Sequence, residues 1–360
     1  MDVKYRSIVS RLTEEILGGK FMSSGALPSE RALAMRFSVS RQTVQRVLRE
    51  LCGRGLVYRR QGSGTFLTSS AANLHETIGL IVTGARRSEI VSEIRDEVTR
   101  LARRMGLSLV FGNASALDCE NAAKQAVSLA RDFAARNVSG VILQPVQFHR
   151  NAERVNARIA GIFAAKGIPV VLIDGDCVNP PGRSGHDVVG IDNFHAGRLV
   201  ASHLREVGVK RLAFLSQADY PPTIRLRMDG VESLFPAPGT CDAVVLKNLR
   251  VRSIVRACSR LRRAEAVVCQ NDVAAINLME AFRKMNVRVP QDVLVVGFDD
   301  VAYAPQFQPA LTSVRQPCRP IAKRAFQLLL DRIGKVKSPA EDVRLMPALV
   351  IRESSVRKAR

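Results

Sequence analysis

From residue 77 onward the sequence alternates between short apolar runs and helical stretches, and this alternation constrains the fold more than any other feature. Short apolar strands interleaved with helices are typical of parallel sheets covered on both faces. Nine such strands exceed what one sheet of this kind easily holds, so we expect two α/β lobes side by side. The predicted strands span residues 78–82, 107–111, 140–145, 169–174, 188–192, 211–216, 242–246, 266–270 and 293–298. The predicted helices include residues 88–105, 120–136, 151–166, 193–207, 251–262 and 272–285.

The first seventy residues follow a different pattern, that of three short helices. Apolar residues at helical spacing predict a helix over 3–17, which Gly18-Gly19 ends. A second helix opens with Ser29 as its N-cap, and Ser40 caps a third helix after a tight turn. The third helix is predicted to bury Val44, Val47, Leu48 and Leu51. Its opposite face presents Arg41, Gln42, Gln45, Arg46 and Arg49.

This arrangement predicts a helix-turn-helix whose third helix enters the major groove of DNA. Arginine can reach guanine O6 and N7, and glutamine can reach adenine N6 and N7. Residues 56–58 and 65–67 predict a β-hairpin wing, in which Gly62 and Gly64 allow the backbone to approach a phosphate closely. The alternative is that Arg41, Arg46 and Arg49 form a solvated helix face that does not bind DNA. The basic wing and the 12 Lys and Arg against 5 Asp and Glu in residues 1–70 favour DNA binding.

The overall composition restricts the possible partners. A formal net charge of +21 indicates a polyanionic partner, either nucleic acid or an acidic membrane surface. The seven scattered cysteines are typical of reduced cytosolic thiols, and the five histidines show no metal-binding spacing. No apolar run approaches the ~20 residues that span a bilayer, and the N-terminus lacks the apolar core of a signal peptide. We therefore expect a cytoplasmic protein with no metal, no cofactor and no membrane partner.

The segment LPSERALAMRFSVSRQTVQRVLRELCGRGLVYRRQGSGTFL resembles the signature of GntR-type winged helix-turn-helix regulators, over about residues 4–68. The resemblance implies that five residues contact DNA: Arg31, Ser40, Arg41, Thr43 and Gly64. Gln42 stands where Thr or Arg is common in that family, and Gln45 where Arg is common. The operator is therefore expected to differ from the usual half-site of the family.

Polar residues follow five of the predicted strands directly. In open α/β sheets, ligands bind beyond the carboxyl ends of the strands. Each of these residues could instead be a helix N-cap or a turn former. Five strand ends that face one crevice nevertheless predict a polar pocket. The residues are Gln144, Asp174, Asp192-Asn193, Asn271-Asp272 and Asp299-Asp300.

The segments GIPVVLID, VGIDNFHAGRLVASHLREVGVKRLAFL, RLRMDGVESLF and AVVCQNDVAAINLMEAFRKMNVRVPQDVLVVGFDDV resemble the LacI/periplasmic-binding-protein effector domain. The resemblance spans about residues 77–354 and implies that Arg225, Asn271 and Asp299 contact the effector. Phe148 and Phe194 could cover the apolar face of a sugar or could belong to the core.

A neutral sugar is the first expectation for the effector, on family grounds alone. Two departures from the family pattern bear on it. Residues 236–251 form a shorter stretch than is usual, so one pocket residue of the family has no counterpart there. The loop over 85–88 is more basic than is common, which leaves room for a sugar phosphate.

Together these observations predict a multidomain chain. An α+β winged helix-turn-helix occupies residues 1–68, a small polar linker follows at 69–76, and a two-lobed α/β periplasmic-binding-protein-like domain spans 77–354. The second domain is expected to bind the effector and to form a homodimer on near-palindromic DNA. Repression relieved by an inducer is the default expectation, and a corepressor stays open.

Two other classes of protein fit less well. A fusion to an aminotransferase-like enzyme needs a Schiff-base lysine, and lysine is sparse in this chain; GxSxG, P-loop and GxGxxG motifs are lacking. The carboxylate pairs 174/176 and 299/300 are neighbours on turns, and such neighbours seldom flank one substrate bond. A solute-binding protein for uptake would need a secretion signal and would have no DNA head. We therefore expect a regulator and not an enzyme.

Overall fold

The computed structural model describes residues 2–17, 20–21, 25–60, 64–67, 77–83, 89–114 and 119–357. It confirms the predicted fold class, with an N-terminal winged helix-turn-helix followed by two α/β lobes. The boundaries predicted at residues 68 and 76 lie outside the described residues, and they stay a prediction. No helix of the described residues is long and apolar enough to cross a membrane.

The head consists of three helices and an antiparallel hairpin. Ser29 caps the second helix by accepting a hydrogen bond from the amide of Ala32 (3.2 Å), and Ser40 caps the third by accepting one from Thr43 (3.2 Å). The four apolar residues predicted to face inward on the third helix are all buried. The elements are α1 (Asp2–Leu17), α2 (Glu30–Phe37), α3 (Arg41–Gly53), β1 (Val57–Arg60) and β2 (Gly64–Leu67).

The first lobe, here called the N-lobe, contains a six-stranded parallel sheet in the order β13-β7-β6-β5-β3-β4. Its strands are β3 (Thr77–Thr83), β4 (Ser108–Ala114), β5 (Gly140–Leu143), β6 (Val170–Ile173), β7 (Asp187–Ile191) and β13 (Asp342–Leu345). Its helices are α4 (Glu89–Arg104), α5 (Cys119–Ala135), α6 (Ala152–Ala164) and α11 (Cys318–Ile333). The central strands β5 and β6 are buried along their whole length, as expected for strands covered on both faces.

The second lobe, here called the C-lobe, has a six-stranded sheet in the order β14-β12-β11-β10-β8-β9, parallel except for the antiparallel edge strand β14. Its strands are β8 (Leu212–Gln217), β9 (Cys241–Leu246), β10 (Ala266–Cys269), β11 (Leu294–Asp299), β12 (Thr312–Arg315) and β14 (Ala348–Val350). Its helices are α7 (Asn193–Glu206), α8 (Pro222–Glu232), α9 (Val251–Leu261) and α10 (Asp272–Lys284).

The chain passes between the lobes three times, after β7, after β12 and after β13. All nine strands predicted from the sequence are present close to their predicted bounds. The three strands β12, β13 and β14 were not predicted, because they are short and β13 alternates exposed and half-buried residues at a sheet edge. Helices α8 and α11 were also missing from the prediction. The crossings place the carboxyl ends of strands from both sheets at one cleft.

Candidate DNA-binding surface and ligand cleft

The start of α3 is exposed and held by its N-cap. The Ser40 hydroxyl lies 2.9 Å from the hydroxyl of Thr43 and also accepts from the Thr43 amide. The Arg41 side chain is 75% exposed, and Gln42 next to it is also exposed. Polar groups at the N-terminus of such a helix can reach the base edges of a major groove.

One carboxylate ties the three parts of the head together. Glu30 of α2 accepts hydrogen bonds from Arg41 Nε (3.0 Å) and Gln45 Nε2 (3.1 Å) of α3, and it also pairs with Arg59 of the wing. The hydrogen bond from Arg41 is the main cause that lowers the pKa of Glu30. Glu30 therefore sets the position of two predicted DNA-binding side chains. The sequence analysis missed it, although an acidic residue directly after an N-cap in a basic head was a usable signal.

The other predicted DNA-binding residues lie around this centre. Arg31 is exposed in the first turn of α2, and Arg46 lies over the ring of Tyr5 at 4.5 Å from its centroid. Gly64 opens β2 opposite Arg60 with a φ of +121°, a conformation that side-chain-bearing residues rarely adopt. Gly62 lies outside the described residues. Arg41, Gln45 and the wing residue Arg59 thus meet at Glu30, while Arg46 contacts Tyr5 of α1.

In the cleft between the lobes, Asp299 is the last residue of β11, and its carboxylate lies near polar groups that follow strands of both sheets. Gln316 Nε2 donates to Asp299 Oδ1 at 2.7 Å, and Gln147 Nε2 donates to Asp174 Oδ2 at 2.6 Å. Burial raises the pKa of Asp299 to about 6, Arg227 and Gln316 oppose that change, and the charge of Asp174 adds to it. Asp174 of the N-lobe and Asp299 of the C-lobe are therefore close enough to interact.

Arg227 is the buried cation of this cleft. It is 4% exposed, donates from Nε to Asn193 Oδ1 (2.8 Å) and from Nη1 to the Gln270 carbonyl (2.8 Å), and lies over the ring of Phe298. It links the middle of α8 to the start of α7 and to the end of β10. A guanidinium held in this way presents its remaining N–H groups in a fixed orientation.

The predicted cleft arginine was Arg225, and the structure corrects this position. The Arg225 side chain is 51% exposed and pairs with Asp229 (2.7 Å) and Glu232 (3.5 Å) along the outer face of α8. Two residues along a helix correspond to about 200° of rotation, so Arg225 and Arg227 point in opposite directions. The motif R-x-R-x-x-G contains both arginines, and only the tertiary structure distinguishes them. We therefore assign the cleft position to Arg227.

A second carboxylate lies behind Asp299. Asp272 is fully buried and accepts hydrogen bonds from the Ser313 hydroxyl (2.5 Å) and the Val301 amide (3.0 Å). Burial is the main cause that raises its pKa to about 8, and the charge of Asp299 contributes. Asn271, the predicted pocket residue beside it, caps α10 through a hydrogen bond from the Ala274 amide (2.9 Å). Asn271 therefore has the helix N-cap role that was the alternative to a pocket residue.

The remaining predicted pocket residues differ in position. Gln144 accepts from the Thr83 amide (3.2 Å) and so joins the ends of β5 and β3. Phe148 packs against the core and lines a cavity of about 380 Å³ between the lobes. Phe194 is 38% exposed near the start of α7 and does not line that cavity in the described part of the chain.

The cavity receives residues from both lobes. Gln147, Phe148 and Asp176 line it from the N-lobe, and Tyr220 and Thr223 line it from the C-lobe. Gln147 connects the cavity to the neighbouring carboxylates Asp174 and Asp299, because its amide donates a hydrogen bond to Asp174. The loop over 85–88 lies outside the described residues. The described groups offer hydrogen-bond donors, acceptors and the two aromatic rings of Phe148 and Tyr220, which suits a polar organic ligand.

Comparisons with known proteins agree with both halves of this description. Residues 4–67 match the family model of bacterial regulatory proteins of the gntR family, and residues 201–355 match that of the periplasmic binding protein-like domain. A curated relative, the arabinose metabolism transcriptional repressor of Geobacillus stearothermophilus, is 25% identical over 98% of this chain and 97% of its own length.

Solved structures share the fold. A LacI family transcriptional regulator from Enterococcus faecalis V583 with bound ribose has a TM-score of 0.66 and 22% identity, over 78% of this chain and 98% of its own. A complex of the transcriptional regulator CelR with cellobiose has a TM-score of 0.63 and 23% identity, over 95% of this chain and 98% of its own. The similarity to CelR extends over the head as well as both lobes.

Proposed function

We propose that this chain, a transcriptional regulator that joins a GntR-type winged helix-turn-helix to a LacI-like effector domain, is a repressor whose affinity for its operator is set by a sugar in the cleft. One observation carries the proposal above all others. One chain contains both a head with an exposed, basic recognition helix and a two-lobed cleft with a buried arginine and carboxylates.

The head reads DNA through the start of α3 and through the wing. Arg41, Gln42 and Gln45 read base edges, since arginine and glutamine can each make two hydrogen bonds to a purine. Ser40 and Thr43 at the N-cap and the backbone at Gly64 contact phosphates. Glu30 orients Arg41 and Gln45 before DNA arrives, which reduces the conformational entropy lost on binding.

The chemistry of the cleft favours a neutral sugar over a sugar phosphate. The described lining of the cavity holds four carboxylates (Glu153, Asp176, Asp219 and Asp342) and three arginines (Arg150, Arg183 and Arg344), and Asp174, Asp299 and the buried Arg227 lie near it. The cavity therefore has no excess of positive charge that would favour a dianionic phosphate over a neutral ligand. Vicinal hydroxyls can donate to the carboxylates and accept from Arg227, Gln147 and Gln316. Phe148 offers an apolar face to the sugar ring.

Helix α11 provides a physical link between the cleft and the head. It begins just after Gln316, which bonds Asp299, and its 16 residues span about 24 Å. Near its end Asp331 lies 3.7 Å from Arg54 at the end of α3, and Leu56 of the head packs against the core of the lobes. Ligand-driven movement of the lobes would therefore displace the head.

A homodimer acting in the cytoplasm completes the proposal. A two-fold protein places two recognition helices at half-sites one turn of DNA apart, which matches a near-palindromic operator. We assign the chain no enzymatic role, because its curated relatives are transcriptional repressors. By default the sugar acts as an inducer and lowers operator affinity.

The test combines binding of DNA with binding of ligand. Genomic fragments enriched on the full chain are titrated by fluorescence anisotropy, with and without each member of a panel of pentoses, hexoses and disaccharides. We expect one sugar to raise the melting temperature and to change operator affinity by about 5- to 150-fold. Asp299→Asn should remove the response to the sugar and keep DNA binding. A chain that prefers no fragment, or a response unchanged in that variant, would contradict the proposal.

A further inference from the structure

A basic groove lies where the head meets the effector domain. It encloses about 630 Å³ between the outer face of α3 and the turn that follows α11. Five cations from the two domains line it: Arg46, Arg49, Arg54, Lys335 and Lys337. Among its described lining residues Glu50 is the acidic one, and it pairs with Arg54 at 3.1 Å. The groove thus keeps a clear excess of positive charge and fits an anion.

The α3 wall of the groove shares a helix face with Gln42, which the proposed function places against DNA. Gln42, Arg46 and Arg49 are spaced by four and three residues, so they lie along one face of the helix. All three are exposed. A DNA backbone that runs past the recognition helix on this side would meet Arg49 first and the turn after α11 next.

The backbone at Lys335 gives a second, independent observation. Lys335 has a φ of 55°, in the left-handed region where helix C-termini usually carry glycine. Its amide bonds to the Arg332 carbonyl (3.0 Å), and the Val336 amide bonds to the Asp331 carbonyl (2.9 Å), so the turn is an ordinary helix end. A lysine in this conformation is strained relative to glycine, and such strain points to a role for the side chain.

We propose that the effector domain itself contacts operator DNA, with Lys335 and Lys337 binding backbone phosphates next to Arg49 of α3. This inference rests on the proposed function, since it needs the recognition helix to lie on DNA. Lysine is suited to this task as a flexible point charge that follows a phosphate without reading sequence. The helix that begins beside the ligand cleft would then end at a DNA contact.

The test measures how DNA affinity depends on salt, using the full chain and an enriched genomic fragment. Each phosphate contact contributes about 0.9 to the slope of log affinity against log salt. The double variant Lys335→Ala/Lys337→Ala should therefore lower the slope by about 1.8 for each half-site. The advantage of the wild-type chain over the variant should then be larger at about 50 mM salt than at about 200 mM by about 12-fold for each half-site, or about 150-fold for a dimer on two half-sites.

Two matched variants separate the contact from charge and from folding. Lys166→Ala/Lys247→Ala removes two exposed lysines outside the groove, and its slope should stay close to that of the wild type. Lys335→Gly relieves the left-handed backbone, so its melting temperature should not fall, while its slope should decrease by about 0.9 for each half-site. A melting temperature that does not fall while the salt slope decreases excludes misfolding as the cause of the weaker DNA binding.

An unchanged slope in Lys335→Ala/Lys337→Ala, with affinity still reduced by Arg41→Ala, would overturn the groove proposal and leave the proposed function standing. If the double variant shows no change in slope and the wild-type chain prefers no genomic fragment, both the groove proposal and the proposed function are overturned. If inorganic pyrophosphate raises the melting temperature of the wild type but not of the double variant, and the slope does not change, the groove binds a free anion instead of DNA.

Discussion

The assignment of Arg227 to the cleft predicts that two arginines on one helix will respond very differently to the same substitution. Methionine retains much of the length and apolar volume of an arginine side chain but removes its charge and its donors. Arg227→Met deletes two hydrogen bonds to buried acceptors and the contact with Phe298. Arg225→Met deletes two exposed ion pairs on the opposite face of α8.

The expected costs differ by several kcal/mol. A hydrogen bond to a charged group contributes about 1.5–3 kcal/mol, so the loss of two at Arg227 should reduce the free energy of unfolding by at least about 3 kcal/mol. An exposed ion pair contributes about 0–1 kcal/mol, so Arg225→Met should cost less than about 1 kcal/mol. For a domain of this size, about 2–4 °C per kcal/mol gives a melting temperature about 6–12 °C lower for Arg227→Met.

Scanning calorimetry of the intact chain measures both shifts, with the head serving as an internal reference because neither arginine lies in it. Isothermal titration with the sugar that stabilises the wild type then measures binding in the cleft. We expect Arg227→Met to lose binding and Arg225→Met to keep it. Equal thermal shifts in the two variants, or sugar binding that survives in Arg227→Met and disappears in Arg225→Met, would refute the reasoning.

Two further predictions concern the head and the buried carboxylate. Glu30→Gln removes the charge that holds Arg41, Gln45 and Arg59, so operator affinity in a gel shift should fall about 5- to 10-fold, which is equivalent to about 1–1.4 kcal/mol. Glu14→Gln should leave operator affinity unchanged. Burial raises the pKa of Asp272 to about 8 in the folded chain, above its value of about 3.9 in the unfolded chain. The stability that the protonated carboxyl contributes is therefore complete below about pH 3.9 and is lost as the pH rises to about 8. The urea midpoint of the wild type should therefore decline between about pH 4 and pH 8, and Asp272→Asn should flatten this decline; parallel curves would show that another group titrates.

Local patterns in the sequence were sufficient for the elements that depend on their own residues. Ser29 and Ser40 cap helices because a hydroxyl three residues ahead of an amide can satisfy it without any tertiary contact. The inward face of α3 followed from spacing alone, as did the apolar strands that parallel sheets bury on both faces. Strand β13 escaped prediction because a short edge strand gains its structure from pairing with β7.

The ligand cleft depended on contacts between distant parts of the chain. Gln144, Asn271 and Asp299 all follow strands, yet Gln144 bonds the end of a neighbouring strand, Asn271 caps a helix and Asp299 faces the other lobe. A polar residue after a strand can adopt any of these roles, and its neighbours in space select among them.

The sequence by itself determined the two-part architecture, the buried and exposed faces of α3 and the set of strand ends from which a pocket could be built, because each of these depends on residues within a few positions of one another. Only the tertiary structure decided which arginine of R-x-R-x-x-G is buried, that Glu30 joins α2, α3 and the wing, and that the turn after α11 meets the head. Orientation, burial and electrostatic environment are set by groups that are far apart along the chain, and these decide which polar residues are available to a ligand or to DNA.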